Sequence, residues 1–365
     1  MSRPTSIALA LLSALTVIAV AIAIRSASLA PTVFHGFPPG SPPASSPAVN
    51  SGLTTAAASD LPVLAESMPA FVGITQWWNT PDGQPLTPEK LKGKVVLVDF
   101  WTYSCINCIR TYPFLRTMYE RYAADGLVIV GVHTPEFAFE ADPKNVGSEI
   151  AKNGLKYPVA LDPDYLTWNA YGNSYWPAEY LFDRQGRLRR THFGEGEYDQ
   201  AEQAIRSLLA EGAVALPAPA QAVPPPDLAN VKTSETYFGL KRGQAFMGQA
   251  GAAGEDTVFR AAAQPDADRW TIGGTWQFQQ EYIQADASVD VLRFSVQADA
   301  LHLVLASADG EDKQIEVSVD GGPPQKFTIN ASTLYTVAQF PDGGRHTVQI
   351  KVLDAGVQFY AATFS

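Results

Sequence analysis

The chain runs to 365 residues, 46% of them apolar and 17% charged, a composition that folds and a length that calls for more than one domain. A formal charge of -11 without Lys/Arg clusters argues against nucleic acid as a partner. Two cysteines in so long a chain exclude a disulfide-stapled scaffold.

The first element is a hydrophobic run. After Arg3 no charge appears until Arg25, and residues 7–24 are apolar apart from Ser13 and Thr16. That length falls within the roughly 17 to 25 residues of a membrane-spanning helix and exceeds the roughly 7 to 15 of a signal-peptide core. The reading is an uncleaved signal anchor over residues 1–29, with the remainder of the chain exported to the periplasm or extracytoplasmic space. A cleavable signal ending near Ser28-Leu29-Ala30 is the rival, disfavoured by Pro31 just beyond. Residues 30–60, rich in Pro, Ser and Ala, form an expected linker. A second Pro/Ala-rich stretch, residues 213–229, separates an α/β domain at 61–212 from an all-β domain at 230–365.

The first domain alternates elements. Strands are predicted at 94–100 and 127–132 from short, almost continuously apolar runs, with a helix over 106–123 carrying Ile109, Tyr112, Leu115, Met118 and Tyr119 at helical spacing. A helix near 145–153, a strand at 159–161, a short helix around 165–171, a hairpin over 180–188 and a helix at 199–209 complete a mixed sheet with helices on both faces.

Both cysteines fall at the junction of the first strand and helix, as Cys105-Ile106-Asn107-Cys108. Residues three apart on a helix lie about 5 to 6 Å apart at Cβ, near enough for a disulfide to close with small rearrangement. At the opening of a helix, unsatisfied N–H groups and the positive end of the dipole favour a thiolate. Cys105 is therefore the expected attacking thiol and Cys108 the resolving one. A zinc half-site would need a second C-x-x-C or paired histidines, and the five histidines are scattered. A purely structural bridge would close too short a loop to gain much. No cofactor or metal is called for beyond the dithiol itself.

The run from Leu91 through Val95-Val96-Leu97-Val98-Asp99-Phe100-Trp101 into this dithiol resembles the thioredoxin superfamily. Within it, Trp101-Thr102-Tyr103-Ser104-Cys105-Ile106-Asn107-Cys108 and Val132-His133-Thr134-Pro135-Glu136-Phe137 are similar to the exported TlpA/ResA branch, and most of all to the periplasmic part of DipZ-type proteins. The likeness covers roughly residues 67–212 and continues into the C-terminal domain. It implies a thioredoxin-like domain followed by a jelly-roll sandwich. It also implies roles residue by residue. Pro113 matches the proline that kinks the active-site helix. Asp99 matches the buried acid that takes the proton of the resolving cysteine, where TlpA-like reductases usually carry Asn or an apolar residue. Pro177 matches the cis-proline facing the dithiol, with backbone offered to a substrate strand. Trp101, Tyr103 and Trp176 are expected to shape the platform around the sulfur. Glu136 and Glu179 are weaker acid/base candidates, and His133 reads as structural.

The function implied is a membrane-tethered periplasmic thiol–disulfide oxidoreductase acting on disulfide-containing periplasmic proteins. Ile106-Asn107 has no histidine of the kind found in strongly oxidising relatives, so the direction expected is reduction. DipZ-type proteins carry a multi-span electron-transferring domain where this chain has one apolar run, which implies a separate membrane electron donor of CcdA/DsbD type. A thiol peroxidase is the enzymatic rival, since Thr102 stands three residues before Cys105, although Val98 occupies the place of the expected proline.

In the C-terminal domain, runs near 289–296, 301–305, 315–322 and 347–352 alternate apolar and polar residues between turn signals, as in an antiparallel sandwich. Its likeness to carbohydrate-binding modules makes a glycan or a protein partner the alternative role. Trp270, Trp276, Tyr237 and Tyr282 are candidates for stacking on sugar rings, or else core aromatics.

Overall fold

The computed structural model describes residues 60–212 and 215–365. The expected anchor and the first linker lie outside the described residues. Among the described residues no helix is long and apolar enough to cross a membrane.

Residues 60–212 build a six-stranded mixed sheet from β1 (Gln76–Trp78), β2 (Val95–Trp101), α1 (Ile106–Tyr122), β3 (Leu127–His133), α2 (Pro143–Lys152), β4 (Val159–Leu161), α3 (Leu166–Ala170), β5 (Ala178–Phe182), β6 (Leu188–Phe193) and α4 (Tyr198–Ala210). The strand order is β1-β4-β3-β2-β5-β6. The central trio β2, β3 and β4 is parallel and the other strands run antiparallel to their neighbours. Alternation along β2 divides the core. Val95, Leu97 and Trp101 face α1, α2 and α4, while Val96, Val98 and Phe100 face Trp168 of α3, Tyr171, Met68, Leu86 and Leu91. Asp99 shares the parity of the first set and so lies on the α1 side. β1 was not legible in the sequence, because three residues with one aromatic pair carry no periodicity.

Residues 236–364 form eleven antiparallel strands: β7 (Thr236–Tyr237), β8 (Thr257–Phe259), β9 (Trp270–Phe278), β10 (Ile283–Ala285), β11 (Val291–Gln297), β12 (Ala300–Ser307), β13 (Lys313–Val319), β14 (Gln325–Ile329), β15 (Thr333–Gln339), β16 (Arg345–Val352) and β17 (Val357–Phe364). The eleven strands make one continuous, nearly closed sheet around a single apolar core, its two halves joined through β9. The first residues of that strand pair with β11, its last with β10, and the chain turns between them at Gly274. Gly274 has φ +105°, and a Cβ there would sit 1.9 Å from Asp290 Oδ1, so only glycine makes this corner.

The second linker does not hang free. Leu216, Ala220 and Val223 pack against the α1/α4 core, and Arg206 donates to the Pro217 carbonyl at 2.6 Å. A proline-rich composition predicts an extended backbone, but not whether its few apolar side chains find a surface to cover.

The C-terminal sheet also packs directly on the loops around the dithiol. Phe137 and Phe139 meet Tyr360 edge-on at 5.2 and 4.8 Å, and Arg242 lies over the Tyr237 ring at 3.8 Å while pairing with Glu136 at 2.7 Å. Glu281 accepts from the Ala138 N–H, Glu149 from Thr333 Oγ1, and the Ser332 carbonyl from the Tyr103 hydroxyl at 3.0 Å.

Candidate active site

β2 ends at Trp101, three residues turn, and α1 begins at Ile106 with Cys105 as its N-cap. The Cys105 sulfur accepts from the Cys108 N–H at 3.4 Å, so it occupies the place of a capping oxygen. Cys105 is partly exposed and Cys108 is buried, and the two thiols are not bonded to each other. Burial, and after it the hydrogen bond and charge of Cys105, push the Cys108 thiol well above its ordinary value. The attacking atom is thus accessible while its partner waits, protonated, one turn inside.

Beside Cys108 lies Asp99, fully buried, with neither carboxylate oxygen hydrogen-bonded. Burial and then the charge of Glu179 raise its carboxyl well above the usual range. Glu179 is the direct register partner of Asp99 across the β2–β5 ladder. On the other side, β3 offers Gly131, where a Cβ would meet Trp101 Nε1 at 2.9 Å and Tyr157 Cε2 at 3.1 Å. Only a residue without a Cβ leaves room for those two rings against β3.

The Trp176–Pro177 peptide is cis. The Pro177 carbonyl accepts from Gly194 N–H at 2.8 Å, just beyond the first pair of the β5–β6 ladder. Of the three platform aromatics, only Trp176 is partly exposed, its indole N–H donating to the Thr134 carbonyl at 3.0 Å. Trp101 faces the core against Tyr112 and His133, since strand parity turns it inward. Tyr103 is covered by the C-terminal sheet, a contact no local pattern could reveal. Pro113 sits inside α1 as expected.

His133 is buried between Trp101 and Tyr103, and burial pushes it down to about 3, so it is neutral and structural. Glu136 is turned away from the dithiol toward Arg242 and Tyr237. Thr102 directs its hydroxyl to His133 Nε2 at 3.5 Å.

Sequence reasoning missed two residues that hold this loop. Glu140 is fully buried and accepts from Ser104 N–H (3.2 Å), Ser104 Oγ (2.6 Å), Glu136 N–H (2.6 Å) and Phe137 N–H (2.9 Å), clamping the residue before Cys105. Burial and then Glu136 push its carboxyl up to about 7, against the pull of those donors. Arg110 forms a two-toothed pair with Glu195 at 2.7 and 2.6 Å and donates to Asn107 Oδ1 at 2.7 Å, fixing the dipeptide between the cysteines. A carboxylate in a short aromatic loop carries no sequence signal of its burial. Arg110, three residues beyond Asn107 on α1, gave at most a hint.

Residues 64–206 match the family described as Redoxin, and residues 233–365 the one described as Thioredoxin like C-terminal domain. The thiol-disulfide oxidoreductase YkuV of Bacillus subtilis is 32% identical over 149 residues, which cover 40% of this chain and 97% of YkuV. This chain belongs to the thioredoxin superfamily. Protein DipZ of Mycobacterium bovis is 38% identical over 274 residues, 72% of this chain but 39% of DipZ. A solved thioredoxin-like protein in its oxidized form aligns over 40% of this chain and 97% of its own, at 32% identity and a TM-score of 0.37.

Proposed function

We propose that the chain is a thiol–disulfide oxidoreductase that reduces disulfides in exported proteins. The observation that supports this most directly is the asymmetry of the dithiol: Cys105 partly exposed at a helix N-terminus, Cys108 buried and held protonated beside Asp99. The Cys105 thiolate attacks a substrate disulfide, forming a mixed disulfide and releasing one substrate thiolate. Cys108 then gives up its proton and attacks the Cys105 sulfur, forming the internal disulfide and releasing the second substrate sulfur. Two electrons pass to the substrate, and the protons lost by the two cysteines balance those gained by the two product thiols.

The finer assignments follow the sequence. Residues 7–24 tether the protein in the cytoplasmic membrane with both domains outside, the substrates are disulfide-containing periplasmic proteins, and a membrane donor of CcdA/DsbD type returns the electrons. Full-length protein reduced by dithiothreitol is expected to reduce insulin disulfides, Cys105→Ser to be inactive, and Cys108→Ser to accumulate substrate mixed disulfides. Unchanged turnover in Cys105→Ser, or hydrogen peroxide consumption without disulfide reduction, contradicts the reading. Thr102 is turned toward His133, an arrangement that favours exchange over peroxidase chemistry.

For the C-terminal domain, the geometry supports a brace for the active-site loops more than a sugar shelf. Trp270 and Trp276 are fully buried, and Tyr237 and Tyr282 pack against Arg242 and Tyr360. Binding of the isolated chain to peptidoglycan that is lost on removing exposed polar residues, with exchange unaffected by Tyr103→Phe, would favour the glycan role instead.

A further inference from the structure

Asp99, Glu179 and His192 lie in one row across three neighbouring strands. Asp99 opposes Glu179 in the β2–β5 ladder, and Glu179 opposes His192 in the β5–β6 ladder. Directly opposed residues project from the same face with Cβ atoms about 4.5 to 5.5 Å apart. The row starts at the buried Cys108 side of the sheet, and exposure rises along it. Asp99 is 0% exposed and Glu179 4%, His192 Nδ1 pairs with Glu197 Oε2 at 3.2 Å, and the Glu197 side chain is 57% exposed. Arg190, on the same face of β6, pairs with Glu179 at 3.3 Å and with Glu197 at 3.0 Å.

We propose that Glu179 is the second station of a proton route that leads from the Cys108 thiol through Asp99 to solvent at His192 and Glu197. The need for a second station comes from Asp99 itself. A buried carboxyl with no hydrogen-bond donor and a carboxylate opposite it holds a proton at rest, and a protonated acid cannot accept another. Glu179 is also disfavoured as an anion by burial, but Arg190 and then His192 oppose that effect, so of the two carboxyls it is the one that carries the charge. Asp99 first passes the proton it holds to Glu179, and the carboxylate so formed takes the proton of Cys108 as that thiol ionises. Glu179 then releases its own proton through His192 and Glu197 to water, and the departing substrate thiolate takes one up. No redox partner beyond the substrate disulfide is required.

The groups around the route come from each packed element. Cys108 and Tyr112 of α1 and Tyr157 before β4 surround Asp99, while Arg190 and His192 of β6, Glu197 at the N-cap of α4 and Tyr198 of α4 surround Glu179. The Tyr112 and Tyr157 hydroxyls are buried without a partner, as is His192 Nε2.

The inference rests on the exchange reading above, and one experiment tells the two apart. Reduced full-length protein mixed with 5,5′-dithiobis(2-nitrobenzoate) releases one thionitrobenzoate when Cys105 attacks and a second when Cys108 resolves the adduct. In Glu179→Gln the second phase should slow by at least about tenfold at pH 7, and its rate should rise only at higher pH. Glu179→Met, which fills the site with no titratable group, should show the same defect and the same pH profile. The double variant Asp99→Asn/Glu179→Gln should resolve no more slowly than Asp99→Asn alone, because stations in series fail together. A second phase in Glu179→Gln with wild-type rate and pH profile, or losses that multiply in the double variant, overturns the relay. Absence of both phases in the wild-type protein would instead overturn the exchange reading on which it rests.

Discussion

Replacing Asp99 by valine should make the reduced protein more stable while slowing it. The carboxyl is fully buried and neither oxygen has a hydrogen-bond partner. Burying a polar group without compensation costs about 1 to 3 kcal/mol in proteins. Valine is close in volume, suits the centre of a strand and adds no polar atom. The gain expected while the carboxyl is neutral in the folded state is therefore about 1 to 3 kcal/mol. The pH dependence has a definite sign. Burial and Glu179 raise the folded-state value of Asp99 above its unfolded value of about 3.9. Between those two values the native state binds more protons than the unfolded one, so the wild type loses stability as pH rises, and the loss is complete above the folded value. The advantage of Asp99→Val should grow from pH 5 to pH 8.5. Urea unfolding under dithiothreitol at both pH values measures it, with the second thionitrobenzoate phase recorded in parallel. A variant less stable than wild type at both pH values, or an advantage that shrinks as pH rises, would refute the reasoning.

Two further outcomes follow from the loops and the surface. Glu140→Ala removes the acceptor for three N–H groups and one hydroxyl and should cost about 2 to 4 kcal/mol, seen in urea unfolding and in faster alkylation of Cys108 as the loop loosens. On the C-terminal sheet, burial weakens His346 as a base, but hydrogen bonds to Asp320 and Asp342 outweigh that and raise its value. The stability this imidazolium contributes, about 0.2 to 1 kcal/mol for a surface pair, is present below the unfolded value near 6.5 and lost as pH rises through the folded one. Asp320→Asn/Asp342→Asn should flatten thermal stability across that range, and NMR titration of His346 should move downward.

The sequence by itself determined the α/β domain and its dithiol. The strand at Val95–Trp101, the helix at Ile106–Tyr122 and the pairing of an outer Cys105 with an inner Cys108 follow from local periodicity and a three-residue spacing, which the backbone obeys wherever the chain lies. Tertiary structure decided what depends on neighbours distant in the chain. Trp101 and Tyr103 look alike in the motif, yet one is turned inward by strand parity and the other is sealed by Ser332, 229 residues away. The continuous C-terminal sheet depends on a corner at Gly274, where a φ of +105° and the closeness of Asp290 both require glycine. Glu179 reads only as a weak acid/base candidate until the register of β5 sets it between Asp99 and His192. Periodicity fixes which face a side chain takes, but only register and burial fix which charge it meets there.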